Sequence, residues 1–280
     1  MPRIRYFSPT PALAHCVSSY FWFEFERAHF ADLSRAELPQ IRFLVQGVGT
    51  NHYEDGRVVA GMRTQLQGPT SAPVRFTGIG PMAIFGLGLL PEGWARLIGE
   101  PADRLADRCI DLSDVLGPDV ERVFDRLLLA TDDRARVAAV DGFLLAHMAR
   151  GRSPPVWFTR LADDWLTASP NPEVDRLVEA SGMSQRSVER LCRRLYGASP
   201  KLLARKYRAL GAAVRLGNGE SLEDGDCADG FYDQAHFIRE FKQFTGMTPK
   251  RFVVEATPVT RLTIARKRLL PGLPKLALYS

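Results

Sequence analysis

At 280 residues, with 45% hydrophobic and 25% charged side chains, the chain has the length of about two globular domains and enough apolar material to bury their cores. Its first residues interleave Pro2, Arg3, Arg5, Pro9 and Pro11 with apolar ones, which gives no secretory signal. The longest apolar run, Met82 to Leu90, is far short of the ~20 residues that span a bilayer. The expectation is a cytoplasmic protein with no membrane contact. Four dispersed cysteines, Cys16, Cys109, Cys192 and Cys227, form no C-x-x-C pair, so they read as buried free thiols rather than a disulfide framework or zinc knuckle. The net charge of +5 is unevenly spread: residues 1–152 hold 17 Arg against 18 acidic residues, and residues 153–280 hold 20 basic against 14 acidic.

From Gln40 to Leu90 the chain reads as short strands broken by Gly and Pro. Tyr20-Phe21-Trp22-Phe23 and Phe25 form an aromatic cluster whose alternation puts Tyr20 and Trp22 on one face and Phe21, Phe23 and Phe25 on the other. Core packing is the first reading of this cluster, and a ligand pocket lined by Tyr20 and Trp22 is the second. Ile41 to Gln46, Val74 to Thr77 and Met82 to Leu87 are short strands separated by Gly and Pro signals, Gly78/Gly80-Pro81 among them, and together they suggest a small barrel or sandwich. His15, His29 and His52 share no short spacing, and Gly86, Gly88 and Gly93 miss the nucleotide-binding spacing. Neither a metal site, a catalytic residue nor a cofactor is signalled. An enzyme in this half is the rival reading.

After Pro91 the pattern turns helical, with segments at Val120 to Ala130 and Ala135 to Ala149, and Arg150 to Pro155 is the best linker. The domain reading is 1–150 for a β-rich sensor whose segment from about 91 to 150 is helical, 151–156 for the linker, 157–252 for a helical domain and 253–280 for a basic tail.

The helical domain contains a repeat. SQRSVERLCRRLYGASPKLL from Ser184 and DQAHFIREFKQFTGMTPKRF from Asp233 align at an offset of 49. Ser184 and Asp233 are good N-caps. Val188, Cys192 and Leu195 pair with Phe237, Phe241 and Phe244, each trio on one buried stripe. Gly197 and Gly246 suit the left-handed position that ends a helix, and Ser199-Pro200 and Thr248-Pro249 open new ones. Shorter segments, Glu173 to Ser181 and Leu222 to Asp229, precede each copy, which makes two helix-turn-helix units. From Ser184 to Arg215 nine basic residues face Glu189 alone, a phosphate-binding density of charge. A helical adaptor for protein partners is the alternative. The acidic run Leu222 to Cys227 fails the spacing of a calcium loop and is poor in helix formers.

At these residues the chain resembles the AraC family of bacterial transcription regulators. The resemblance is densest at Gly230-Phe231-Tyr232-Asp233-Gln234-Ala235-His236-Phe237, Arg239, Phe241-Lys242 and Gly246 to Pro249. In the first copy it rests on Gly182 to Ser184, Arg186, Val188, Arg190, Gly197 and Ser199 to Lys201. It implies an α+β protein in which a β-rich sensor domain with following helices, which dimerise, precedes an all-α domain of two helix-turn-helix units. A long helix, here about Pro200 to Leu216, would set the two recognition helices into successive major grooves. The implied partners are double-stranded promoter DNA, a small-molecule effector, a second copy of the chain and RNA polymerase. By position on the exposed face and by this resemblance, Arg186, Glu189, Arg190, Gln234, His236 and Arg239 are expected at base edges. Arg193, Arg194, Lys201, Arg205 and Lys242 are expected on phosphates.

Overall fold

The computed structural model describes residues 1–151, 154–221 and 230–279. Arg152 and Ser153 of the expected linker, the expected helix at Leu222 to Asp229 and Cys227 lie outside the described residues.

Residues 1–111 form one antiparallel sheet: β1 (Arg3–Phe7), β2 (Val17–Phe25), β3 (His29–Ser34), β4 (Gln40–His52), β5 (Val58–Ala60), β6 (Thr64–Gln67), β7 (Val74–Leu89) and β8 (Cys109–Asp111). Its hydrogen-bonded order is β1-β2-β7-β4-β6-β8, with β3 on β7 and β5 on β4. Among the described residues no pairing joins β1 to β8, so the sheet is neither a closed barrel nor two separate sheets. The Gly78 to Pro81 stretch, read from sequence as a break, lies inside the 16-residue β7. Tertiary pairing overrides the local signal there. One edge of β7 takes β3 at Val74–Ile79 and β2 at Met82–Leu89, while β4 runs along the other edge.

The alternation along β2 separates the two faces as expected. Tyr20 and Trp22 enter the main core with Phe85, Trp94, Phe124, Leu127 and Leu144. That core is closed by α1 (Pro91–Gly93), the turn Trp94–Ile98, α2 (Ser113–Leu116), α3 (Asp119–Leu129) and α4 (Asp133–Met148). The Tyr20 hydroxyl donates to Asp141 at 2.6 Å, the Trp22 indole donates to Glu24 at 2.7 Å, and the Arg136 guanidinium lies 4.3 Å from the Trp22 ring. Both side chains are buried in this core, and the cavity described below is lined by Phe21 and Phe23 of the opposite face instead. Phe21, Phe23 and Phe25 take the opposite face with Phe30, Phe76 and Met82. Gly86 on β7 makes room for the Phe21 ring, which a Cβ would meet at 2.2 Å.

Further helices among the described residues are α5 (Val156–Ala168), α6 (Val174–Ser181), α7 (Gln185–Tyr196), α8 (Pro200–Gly217), α9 (Gln234–Thr245), α10 (Pro249–Glu255) and α11 (Pro258–Ile264). The segment read as a basic tail continues as α12 (Arg266–Leu269) and a 3-10 turn at Lys275–Tyr279, with Leu276 and Ala277 buried. Phe158, Leu166, Leu177, Val188, Cys192, Leu195 and Leu203 form the core of the first helical unit, and Leu38 and Leu90 of the sheet domain belong to it too. Cys16, Cys109 and Cys192 are buried and free.

Candidate nucleic-acid interface and ligand cavity

Local chemistry sets the capped helix of each copy of the repeat. Ser184 accepts a hydrogen bond from Ser187 N–H to start α7, and Asp233 accepts from His236 N–H to start α9. Gly197 and Gly246 end them at φ +82° and +80°, each donating its own N–H to the carbonyl four residues back. Ser199 caps α8 through Leu202 N–H, with Pro200 in its first turn. The paired stripes are buried as the repeat predicts: Val188, Cys192 and Leu195 on α7, and Phe237, Phe241 and Phe244 on α9.

On the outer faces Arg186, Arg190, Arg193 and Arg194 of α7 are exposed, as are Gln234, Arg239 and Lys242 of α9 and Lys201 at the start of α8. Glu189 is partly exposed and holds Arg193 at 2.9 Å, a solvated i,i+4 pair. The basic face of α7 borders a groove whose other wall is Pro101 and Asp103 from the sheet domain.

Two of the expected DNA contacts, both partly exposed, are engaged with neighbouring side chains. Arg205 donates to Glu240 at 2.5 Å and to Gln243 at 2.7 Å, so its guanidinium ties α8 to α9. His236 accepts from Tyr232 N–H on Nδ1, which leaves the ring proton on Nε2 facing Glu240 at 3.2 Å. Arg208 completes the cluster, donating to Glu240 at 2.8 Å and to Asn171 at 2.7 Å. Burial alone would raise the Glu240 carboxyl, but the hydrogen bonds from Arg205 and Arg208 outweigh it and hold the group below the usual range. Glu240 was not singled out from sequence. An acid on the buried flank of an otherwise basic recognition helix was the available signal.

The helical domain is seated on the sheet domain. The Lys206 ammonium, buried within α8, donates to the carbonyl oxygens of Glu37 at 2.9 Å and Thr70 at 2.8 Å. Ala36 N–H donates to Phe244 O at 2.8 Å. The two equivalent glycines pack against the same domain: a Cβ at Gly197 would meet Pro69 at 2.5 Å, and one at Gly246 would meet Leu33 at 2.3 Å.

A cavity of about 100 Å³, open to solvent on one side, lies on the Phe21 face of the sheet. Phe21, Phe23, Leu44, Phe76 and Ile84 make its apolar wall. Tyr6, Glu37, Gln40, Arg42, Gln65 and Asn51 supply polar groups, and Val259, Thr263 and Arg266 reach in from α11 and α12. Its apolar wall with a few polar groups is the kind of lining that small-molecule sites have. Elsewhere His15, Cys16 and Glu92 bring their ligand atoms within 4.8 Å of one another, a meeting the histidine spacings did not foretell. The Glu92 carboxylate there is already held by Arg96 at 2.9 Å.

Residues 177–253 match the family profile described as a helix-turn-helix domain. This segment is a helix-turn-helix domain. The match spans both copies of the repeat, and the likeness to AraC-type regulators read from the sequence rests on this segment. No curated protein matches the chain. Among solved structures it is similar to ToxT from Vibrio cholerae O395, at 9% identity and a TM-score of 0.47, over 92% of this chain and 98% of that one. It is also similar to wild-type ToxT from Vibrio cholerae strain SCE256 bound to an unsaturated fatty acid, at 9% identity and TM-score 0.44, over 90% and 94%. The AraC-like transcriptional activator CuxR matches at 14% identity and TM-score 0.32, over 77% and 82%. No helix among the described residues is long and apolar enough to cross a membrane.

Proposed function

We propose that this protein is a sequence-specific, DNA-binding transcription regulator, controlled by a small-molecule effector held in the N-terminal domain and acting in the cytoplasm without catalysis. The observation that carries the reading is the pair of capped helices at an offset of 49, each with a buried apolar stripe and an exposed polar or basic outer face. Residues 1–150 serve as the sensor, 151–156 as the linker and 157–252 as the DNA-binding domain. Arg186, Glu189 and Arg190 read one half-site, and Gln234 and Arg239 read the other. Arg193, Arg194, Lys201 and Lys242 hold phosphates. In the arrangement described here His236 and Arg205 support α9 through Glu240, and their contacts with DNA, if formed, require that cluster to open.

A second copy of the chain pairs through α4. Ala135, Ala138, Gly142, Leu145 and Ala149 recur at spacings of three and four along its exposed side, with exposed Leu128 and Leu129 at the end of α3. A helix seam of small residues lets two backbones approach closely. RNA polymerase is the further partner of a regulator bound beside a promoter.

The test is a selection of bound duplexes from a random pool with the full-length protein, followed by anisotropy titrations at several salt concentrations. Arg190→Ala should cost ~1–3 kcal/mol on the selected site and relax preference at one base pair. Arg239→Ala should do the same in a half-site about 34 Å along the duplex. A pool that yields no preferred sequence would sink the reading.

A further inference from the structure

Among the described residues one group of metal-ligating side chains comes together, away from the DNA-binding helices and the sheet cavity: His15, Cys16 and Glu92. Two distant pieces of chain supply it. Cys16 lies just before β2 and Glu92 lies in α1, and the backbone fixes one beside the other. Leu90 N–H donates to Cys16 O at 2.8 Å, and Gly93 lets that carbonyl approach so closely that no Cβ would fit. Cys16 and Glu92 are buried, whereas His15 is exposed and opens the group to solvent.

The spacing suits coordination. Zinc bonds of about 2.0–2.3 Å at tetrahedral angles leave ligand atoms about 3.3–3.6 Å apart. His15 Nε2 stands 3.4 Å from Glu92 Oε1, and the widest separation in the trio, at most 4.8 Å, closes by side-chain rotation. A buried carboxylate calls for a cation. Arg96 supplies one, donating to the same Oε1 at 2.9 Å, so a metal ion here competes with a guanidinium for one oxygen. Sulfur and imidazole beside that carboxylate favour a borderline-soft divalent ion over calcium or magnesium, which take oxygen ligands.

We propose that His15, Cys16 and Glu92 form a binding site for one zinc-class divalent ion, with water as the fourth ligand on the exposed His15 side. Binding replaces the Cys16 S–H bond with a metal–sulfur bond and releases that proton to solvent, with no change of oxidation state. The ion ties the turn before β2 to α1. Since α1 packs on α5 and α7, the site stands where the sheet domain meets the first helix-turn-helix unit.

The experiment is titration of the untagged, full-length protein, stripped of metal by a chelator, with Co2+. Cobalt reports a sulfur ligand by its thiolate charge-transfer band and four-coordination by its visible bands. One equivalent should produce both, Zn2+ should displace it, and Zn2+ should raise Tm. His15→Ala, at an exposed position, should weaken cobalt binding at least about tenfold, and Cys16→Ser should remove the charge-transfer band. Arg96→Gln removes the competing guanidinium and should tighten binding. Cys227→Ser should leave band and affinity as in wild type. Should Cys16→Ser fail to fold, His15→Ala and Cys227→Ser still decide the assignment. No thiolate band up to millimolar cobalt, a band with unchanged affinity in His15→Ala, or a band lost in Cys227→Ser would overturn the site. Weaker binding in Arg96→Gln would remove Glu92 from the ligand set.

Discussion

Glu240 on α9 accepts a hydrogen bond from Arg208 on α8 at 2.8 Å, and this contact joins the capped helix of the second copy to the helix connecting the two units. Glu240 is 2% exposed and also holds Arg205, so removing it takes the shared carboxylate from two guanidinium groups and leaves them the neutral partners Gln243 and Asn171. Glu240→Ala should destabilise the fold by ~3–5 kcal/mol, the range for breaking a buried ion pair from one side. Urea unfolding checks this, and a loss below ~1 kcal/mol would mean that the pair is solvated in practice.

A second prediction concerns pH. Asp163 on α5 is raised to about 7, first by burial, against which the hydrogen bond from Tyr196 at 2.6 Å pulls it down. An acid raised in the folded state binds its proton more tightly there than in the unfolded chain. Its stabilising contribution is full below the unfolded value and is lost as pH rises through about 7. Asp163→Asn should flatten this decline between about pH 4 and 7, measured as Tm against pH for both proteins. Parallel curves would show that Asp163 does not titrate there.

The glycine turns can be ranked. Gly182 and Gly197 both have positive φ, +63° and +82°, but a Cβ on Gly182 meets nothing within 4 Å and one on Gly197 meets Pro69. Gly182→Ala should cost ~1–2 kcal/mol for the left-handed backbone alone, and Gly197→Ala should cost more. Equal losses in denaturant titrations would mean that the contact with Pro69 yields freely.

The proposed pairing through α4 predicts that Gly142→Arg, placed where a Cβ has open space, leaves the protomer's stability unchanged and shifts sedimentation to the monomer. Its affinity for a two-half-site duplex should fall with the loss of avidity. A variant that sediments like wild type would move the dimer surface elsewhere.

Where the cause was local, the sequence told the structure. Ser184, Asp233, Gly197 and Gly246 cap and end helices through their own side chains or backbone freedom, so the repeat could be read residue by residue. Continuity of β7 was hidden because its glycines make room for Phe21 and Phe25 from β2, a relation between distant segments. The same distance hid the cavity. Period-two alternation separated Tyr20 and Trp22 from Phe21 and Phe23, but only the packing of α3 and α4 on one side and α11 on the other decided which face stayed open. Arg205 looked like a surface cation because its partner, Glu240, lies 35 residues away.

The seat of α8 on the sheet domain has a consequence for heredity. Lys206 reaches carbonyl oxygens, which every amino acid at positions 37 and 70 would present alike, so the interaction is written on one side only. Random mutation can remove it directly at a single codon, whereas changes at Glu37 or Thr70 act on it only by displacing the main chain. Selection for altered responsiveness would therefore strike position 206 far more often than the two residues it touches.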